Sequence, residues 1–421
     1  MTKADKSREL IALIDSKKFV GLKPYKIGTA FGGHISAGLG ATSWRSSFFA
    51  LLCGWIFRGF EIEYSGTGPL LFIYSPSYTK VELHKQNLCK IANIIPNSRT
   101  LIGQPRRPKL DTKGFFTVFY FPLWLLQMLR LPFNFKQKLF LIGQLGQCKN
   151  WLSLFLDEIN RTKPTLVTLY SDSRMYENIT AQCCRGKCIP TATLQHGMYS
   201  EPTVNSFSGF ELFVSDTLLA WGEYTKECAI RSKIAPERIY KAGLMGVVEK
   251  VAEIPDLPVF GVMLSGAVEH AEQINTELIV VANEVANKFN LRYIVRPHPG
   301  EEYPYPLPYQ EKLMEYVCDD NTSLQQLANS VRFFISPSTS TVAFDLIHMG
   351  AVSFMHNNSY ENFFSSCFGK LNFKSICDII ALVRWSSEFR GEYETEAAII
   401  DKYVFTSNEK QSYQLFFENY L

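Results

Sequence analysis

Val331-Arg-Phe-Phe-Ile-Ser-Pro-Ser-Thr-Ser-Thr-Val-Ala-Phe-Asp-Leu-Ile-His-Met-Gly-Ala-Val-Ser-Phe-Met355 reads as strand, polar turn, helix and strand. Val331 to Ile335 is short and rich in aromatic and β-branched residues, as a buried strand requires. Ser336 to Thr341 interrupts it with a proline and five hydroxyls, and opens a helix from Val342 to Met349. Ala351 to Met355 is the next strand. A strand, a crossover helix and a second strand in this order make a parallel pair.

The alternation extends in both directions. Val259 to Leu264 and Leu291 to Val295 read as strands around a helical stretch from Ala267 to Asn287. Leu313 to Val317 and Ser323 to Ala328 read as helical. In the first half, Pro164 to Tyr170, Cys188 to Leu194 and Thr217 to Gly222 read as strands, with helices at Tyr176 to Cys184 and Tyr224 to Lys233. Residues 247–258, with Pro255, Pro258 and mixed charge, read as a linker. The expectation is an α/β protein with an N-terminal domain over 1–246, that linker, and a C-terminal domain over 259–390. Residues 1–160 parse less cleanly. Doubly wound sheets bind ligands beyond the carboxyl ends of their strands, and each polar cluster of this chain directly follows a strand.

Composition narrows the class. A chain of 421 residues suits two domains, and 46% hydrophobic with 20% charged residues supports a large core. A net charge of +3 without a basic footprint argues against nucleic acid as a partner. The charged start, Met1 to Glu9, lacks the apolar segment of a signal peptide, so the ten cysteines are expected to be reduced thiols in a cytoplasm. Cys183, Cys184 and Cys188 cluster without a second Cys or His pair at zinc spacing, and no metal site is expected. Residues 114–129 are uncharged and aromatic, broken by Pro122 and flanked by Arg106, Arg107, Lys109, Arg130, Lys136 and Lys138. The stretch is too short to span a bilayer. It reads as core, or as a peripheral surface that dips into an anionic membrane interface.

Three clusters carry chemistry. Ser336 to Thr341 places Ser338, Thr339, Ser340 and Thr341 at a helix start, where free N–H groups and the helix dipole favour a phosphate; a plain N-cap would need only one hydroxyl. Arg296-Pro-His-Pro-Gly300 holds His298 between Pro297 and Pro299, and both Arg296 and His298 suit an anion. The alternative for His298 is a structural histidine in a turn. Gln195-His196-Gly197 ends a strand in the first half and offers His196 as a general base. Asp172, Glu177 and Glu201 are rival bases. Weaker signals are Ser265-Gly266 for a diphosphate, Glu361 in Tyr360-Glu-Asn362 for a ribose or base, and a glycine-rich loop over Gly28 to Gly40 near the acceptor.

Taken in order, Gln195-His-Gly197, Trp221-Gly-Glu223, Ile239-Tyr-Lys-Ala-Gly243, Arg296-Pro-His-Pro299 and Ser338-Thr-Ser-Thr341 resemble the GT-B glycosyltransferases of bacterial surface polysaccharides. The nearest likeness is to CDP-glycerol glycerophosphotransferases and to capsule and sialic-acid transferases with a His-Pro motif, over residues 160–360. The resemblance implies two Rossmann-like domains facing a cleft. It implies that His298 and Ser338 to Thr341 hold the donor phosphate, that His196 acts as base, and that residues 391–421 return to the first domain. Gln195 stands where the glycerophosphotransferases have Trp, and the acidic pair before a glycine of polysialyltransferases is not present. The implied activity is inverting, metal-independent transfer from a CMP-, CDP- or UDP-linked sugar to a lipid-linked or oligosaccharide acceptor of capsule, lipopolysaccharide or teichoic-acid type. The nucleotide sugar is a co-substrate, and no separate cofactor is expected. Alternatives are phosphoglycerol transfer from a CDP-linked donor, sugar-nucleotide epimerisation on the same architecture, and a non-catalytic nucleotide-binding scaffold.

Overall fold

The computed structural model describes residues 3–32, 35, 43–55, 57–75, 82–110, 119–199, 209–244, 250–251, 255, 257–266, 270–298, 306–318, 322–360 and 364–421. The chain forms two units. The first holds Met1–Trp221, Thr225–Met245 and Asn408–Leu421; the second holds Gly222–Tyr224 and Gly246–Ser407. The C-terminal segment is thus divided at Asn408, and most of the linker lies outside the described residues.

The first unit is built on β1 (Phe57–Gly66), β2 (Leu70–Tyr74), β3 (Ser98–Leu110), β4 (Leu166–Leu169), β5 (Thr191–Leu194), β6 (Thr217–Ala220) and β7 (Ile239–Lys241). Their order is β1-β3-β2-β4-β5-β6-β7, parallel except for β1 against β3. Strands β2, β4 and β5 are buried at every residue, as expected where helices cover both faces of a parallel sheet. Its helices include α1 (Lys3–Asp15), α2 (Trp44–Trp55), α3 (Glu82–Ile94), α4 (Phe121–Leu129), α5 (Phe135–Thr162) and α6 (Met175–Arg185). Helix α5 starts at a capping box: Gln137 N donates to the Asn134 side chain, and Asn134 N donates to Gln137 Oε1, both at 3.0 Å. It buries Leu141, Leu145, Leu152, Phe155 and Ile159 on one side. Gly143 lets α2 approach, since a Cβ there would lie 2.4 Å from the Ala50 carbonyl carbon. Tyr413, Phe416 and Phe417 of the final helix (Glu409–Glu418) pack with Leu70, Phe72 and Leu88 in a core of this unit.

The second unit holds β8 (Val259–Met263), β9 (Arg292–Arg296), β10 (Met314–Val317), β11 (Phe334–Pro337), β12 (Ser353–His356) and β13 (Asn372–Phe373). Their order is β10-β9-β8-β11-β12-β13, all parallel. Helices α7 (Ala271–Phe289), α8 (Val342–Met349) and α9 (Arg390–Val404) are among those that surround the sheet. The chain winds outward from β8 through β9 to β10, then returns to the other side of β8 as β11. That reversal is the topological switch point of a doubly wound sheet. Two doubly wound units in series are the expected fold class.

Three local readings are corrected. Leu313 to Val317, expected as helix, holds the strand β10. Four residues are too few for periodicity to tell the two apart, and hydrogen bonding beside β9 decides. Val331 to Ile335 is a strand only from Phe334; Val331 and Phe333 are buried in the preceding turn, so the apolar run outlasts the strand. Ser336 and Pro337 belong to that strand, and the polar turn begins at Ser338. Among the described residues no helix is long and apolar enough to cross a membrane.

Candidate active site

In the second unit the sequence clusters meet beyond the carboxyl ends of β8, β9 and β11. Ser265 and Gly266 follow β8, and Thr339 follows β11 across the switch point. Their hydroxyls bond each other, with Ser265 Oγ 2.8 Å from Thr339 Oγ1. Asn275, fully buried on α7, fixes the turn: its Oδ1 accepts from Ser265 N at 2.7 Å, and its Nδ2 donates to Ser265 O. Ser338 is fully buried; its N–H donates to His356 O, and its Oγ accepts from Asn358 Nδ2 at 3.3 Å. Thr341 precedes α8 without a side-chain cap bond, and Ser340 Oγ receives Val342 N at 3.4 Å. Among the described residues the N–H groups of Gly266, Thr339 and Thr341 make no hydrogen bond. Unspent donors at a switch point suit an anion.

His298 lies on the same edge, beyond β9. Its ring covers Gly266 so closely that a Cβ there would meet His298 Cγ at 2.9 Å. Only glycine permits this approach. Arg296 closes β9, and its Nη1 donates to Thr322 O at 2.8 Å. The exposed Tyr360 ring stacks on His270 with centroids 5.2 Å apart, and His270 precedes α7. Pro299 and Glu361 lie outside the described residues.

His356 was not singled out in the sequence. It ends β12, is 4% exposed, stacks on Phe373, and makes no Nδ1 hydrogen bond among the described residues. Burial pushes its pKa down to about 4, so it is neutral near pH 7. It lines a cavity of about 420 Å3 with Glu277, Lys374 and Ser375. A signal was present: His196, His298 and His356 each come at or within two residues of a strand end.

In the first unit the switch point lies between β2 and β4. There the Tyr74 and Tyr170 rings meet edge to face at 5.4 Å, and Tyr170 leads to the half-buried His196 at 6.1 Å. His196 Nδ1 is 2.9 Å from the Tyr199 hydroxyl. Gln195 anchors this turn: its Oε1 accepts from Trp221 N at 2.7 Å, and its Nε2 donates to Gly197 O at 2.9 Å. Gln195 is therefore committed to backbone, and His196 holds its ring between Tyr170 and Tyr199.

The rival carboxylates differ in setting. Glu177, fully buried on α6, accepts from Ser75 N at 3.0 Å and Ser75 Oγ at 2.5 Å, at the end of β2. Burial pushes its pKa up to about 8. Asp172 turns inward, with Oδ2 accepting from Val214 N at 2.9 Å and Ser215 N at 2.7 Å. Burial raises its pKa, opposed by these backbone bonds and by Arg238. This arrangement makes Asp172 a loop anchor. Asp172→Ala leaves one buried and one part-buried N–H group without an acceptor and is expected to cost about 3 kcal/mol in urea unfolding. Turnover per folded molecule should be unchanged. Glu201 lies outside the described residues, as does most of Gly28 to Gly40; its start, expected as loop, is the short helix Ile27–Ala30, where Gly28 lets the chain approach Ile11 O. Among the described residues no group of three or more His, Cys, Asp or Glu is arranged to hold a metal ion.

No protein-family model and no curated protein matches the sequence. Solved structures of similar fold exist. One is UDP-GlcNAc 2-epimerase from Neisseria meningitidis bound to UDP-GlcNAc, at 12% identity and TM-score 0.51, covering 83% of this chain and 98% of that one. Another is HepE from Anabaena in complex with UDP-glucose, at 11% identity and TM-score 0.51, covering 83% and 99%. At these identities the likeness shows the fold, that of the GT-B type.

Proposed function

We propose that this chain transfers a sugar from a nucleotide-linked donor to an acceptor hydroxyl. The observation that carries the reading is the crevice between β8 and β11, where the N–H groups of Gly266, Thr339 and Thr341 make no hydrogen bond among the described residues, beside the Ser265 and Thr339 hydroxyls. The donor's phosphates accept from these groups, and His298 and Arg296 add positive charge or further donors. Ser338 and Ser340 shape the turn. The stacked Tyr360 and His270 offer a flat surface to a base. Structures of like fold were determined with UDP-linked sugars, which supports a nucleotide sugar as ligand.

In the first unit His196 takes the proton of the attacking hydroxyl. In the tautomer that donates Nδ1–H to the Tyr199 oxygen, Nε2 is the proton acceptor. The hydroxyl oxygen forms its bond to the anomeric carbon as the bond to the donor phosphate breaks. Attack from the opposite face inverts the configuration, and the fixed N–H dipoles receive the leaving charge without a metal. The acceptor we propose is a lipid-linked or oligosaccharide glycan of the bacterial surface, on the resemblance of the motifs and on the surface described below.

A second reading, rearrangement of the sugar while it stays on its nucleotide, is favoured by the fold likeness to the epimerase. Product analysis separates the two. The chain is incubated with UDP-, CDP- and CMP-linked sugars and with CDP-glycerol, with and without a lipid-linked acceptor. Release of nucleotide that requires the acceptor is expected. Conversion of the sugar still attached to nucleotide would establish the second reading instead. Consumption of CDP-glycerol alone would make the chain a glycerophosphotransferase, and binding without any product would leave a scaffold.

A further inference from the structure

Acidic residues are distributed unevenly along this chain. Residues 16–60 and 112–156 contain no Asp or Glu but eleven Lys or Arg, while the other 331 residues carry a net charge of −8. The overall +3 conceals this separation. Both acid-free segments belong to the first unit.

They also pack together. Gln127 Nε2 on α4 donates to Lys18 O at 3.1 Å, and Trp124 Nε1 donates to Val20 O at 2.9 Å, which seats the lysine-bearing loop 16–26 against α4. Lys138, in the first turn of α5, donates to Leu129 O at 3.2 Å. Phe135 of α5 meets Trp44 of α2 at 6.2 Å, and Lys136 Nζ lies 5.7 Å from the centre of the Trp44 ring. These contacts join α4 and the starts of α5 and α2 into one surface.

That surface is apolar and uncovered. Trp44, Phe48, Phe119, Leu126, Leu129 and Phe135 each expose more than half of their area. Leu123, Leu126 and Leu129 recur every three residues on one side of α4, while Trp124 and Met128 face the core. Large exposed side chains gathered in one patch mark an interaction site in a protein with an ample core. Arg45, Arg130, Lys136 and Lys138 stand within or beside the patch, and neither α2, α4 nor residues 135–156 of α5 supply an acid.

We propose that this face docks on an anionic lipid bilayer. Leucine and aromatic side chains enter the interface, and the bases meet the lipid phosphates. Charge complementarity favours this occupant: a second copy would bring the same bases against themselves. The proposal stands independently of the donor site, which lies in the second unit.

The test is co-sedimentation of the full chain with phosphatidylcholine vesicles, with and without phosphatidylglycerol, at low and high salt. Binding is expected only with phosphatidylglycerol and should weaken with salt. Lys136→Gln with Lys138→Gln should weaken it roughly 25-fold, at about fivefold per base. Leu126→Gln should weaken it about tenfold. Both sites are on the surface, and unchanged circular dichroism would show that the variants fold. Equal binding by variants and parent would overturn the proposal, as would no binding to anionic vesicles. A dimer that Leu126→Gln dissolves and that ignores vesicles would assign the face to a second copy.

Discussion

His196→Ala is expected to lower turnover by roughly 10²–10⁴-fold, the usual contribution of a positioned general base. Nucleotide affinity should be unchanged, because the groups assigned to the phosphates belong to the second unit. Tyr199→Phe tests the same assignment more gently. It removes the partner 2.9 Å from Nδ1 and frees the ring to choose the other tautomer. Turnover should fall about tenfold with KM preserved. Single-turnover measurements at saturating donor separate this from a binding defect. Full activity in His196→Ala would remove His196 from the reaction and leave Glu177 as the buried candidate at that switch point.

Glu177 should dominate the pH dependence of stability. Its folded pKa of about 8 stands above the ordinary glutamate value, because burial penalises the charged form. The folded protein therefore keeps a proton that the unfolded chain releases above pH about 4.5. This contribution is fully present below the unfolded value and is lost as pH rises through 8. The span is on the order of 5 kcal/mol. Glu177→Gln keeps an oxygen for Ser75 N–H and removes the charge. Urea unfolding at pH 5 and pH 8 should show a larger loss in the parent than in the variant, where Asp345, its pKa pushed up by burial to about 7, still contributes. A parent as stable at pH 8 as at pH 5 would mean that Glu177 ionises freely inside the fold. His356 acts in the opposite sense over a lower window. With its pKa pushed down to about 4, it withdraws stability as pH falls below about 6.5.

Strand–helix alternation was legible from residue 163 onward because each strand is a short apolar run closed by polar residues. The helix from Val342 to Met349 was read to the residue, since a hydroxyl-rich turn and Gly350 bound it. The strand at Met314 was lost because its four residues, three of them exposed, are too few for periodicity to separate strand from helix. At the sites, which residues stand at the strand ends was legible, but where they point was not. Asp172 and His196 both follow strands, yet one turns inward to backbone and the other keeps a ring toward the Tyr170–Tyr199 cluster. His356 escaped notice because Phe354-Met-His356-Asn-Asn carries neither the prolines nor the glycine that drew attention to the other two histidines. The basic flanks of residues 114–129 were legible in the sequence, but that residues 16–60 are also free of acids and pack beside them was not, because net charge averages over the chain.

Binding of a nucleotide sugar beyond the carboxyl ends of β8 and β11 can be read directly. The most direct measurement is the thermal stability of the purified chain with CMP, CDP, UMP, UDP, GDP and dTDP, run in parallel on His298→Ala and Thr339→Val. A ligand at about 100 times its dissociation constant adds roughly 2.7 kcal/mol, a clear shift in melting temperature. Nucleotides of one base should shift the melting temperature, and the shift should be lost in both variants, whose own melting points serve as the reference. Absence of a shift with every nucleotide, or an equal shift in parent and variants, would contradict binding at this site.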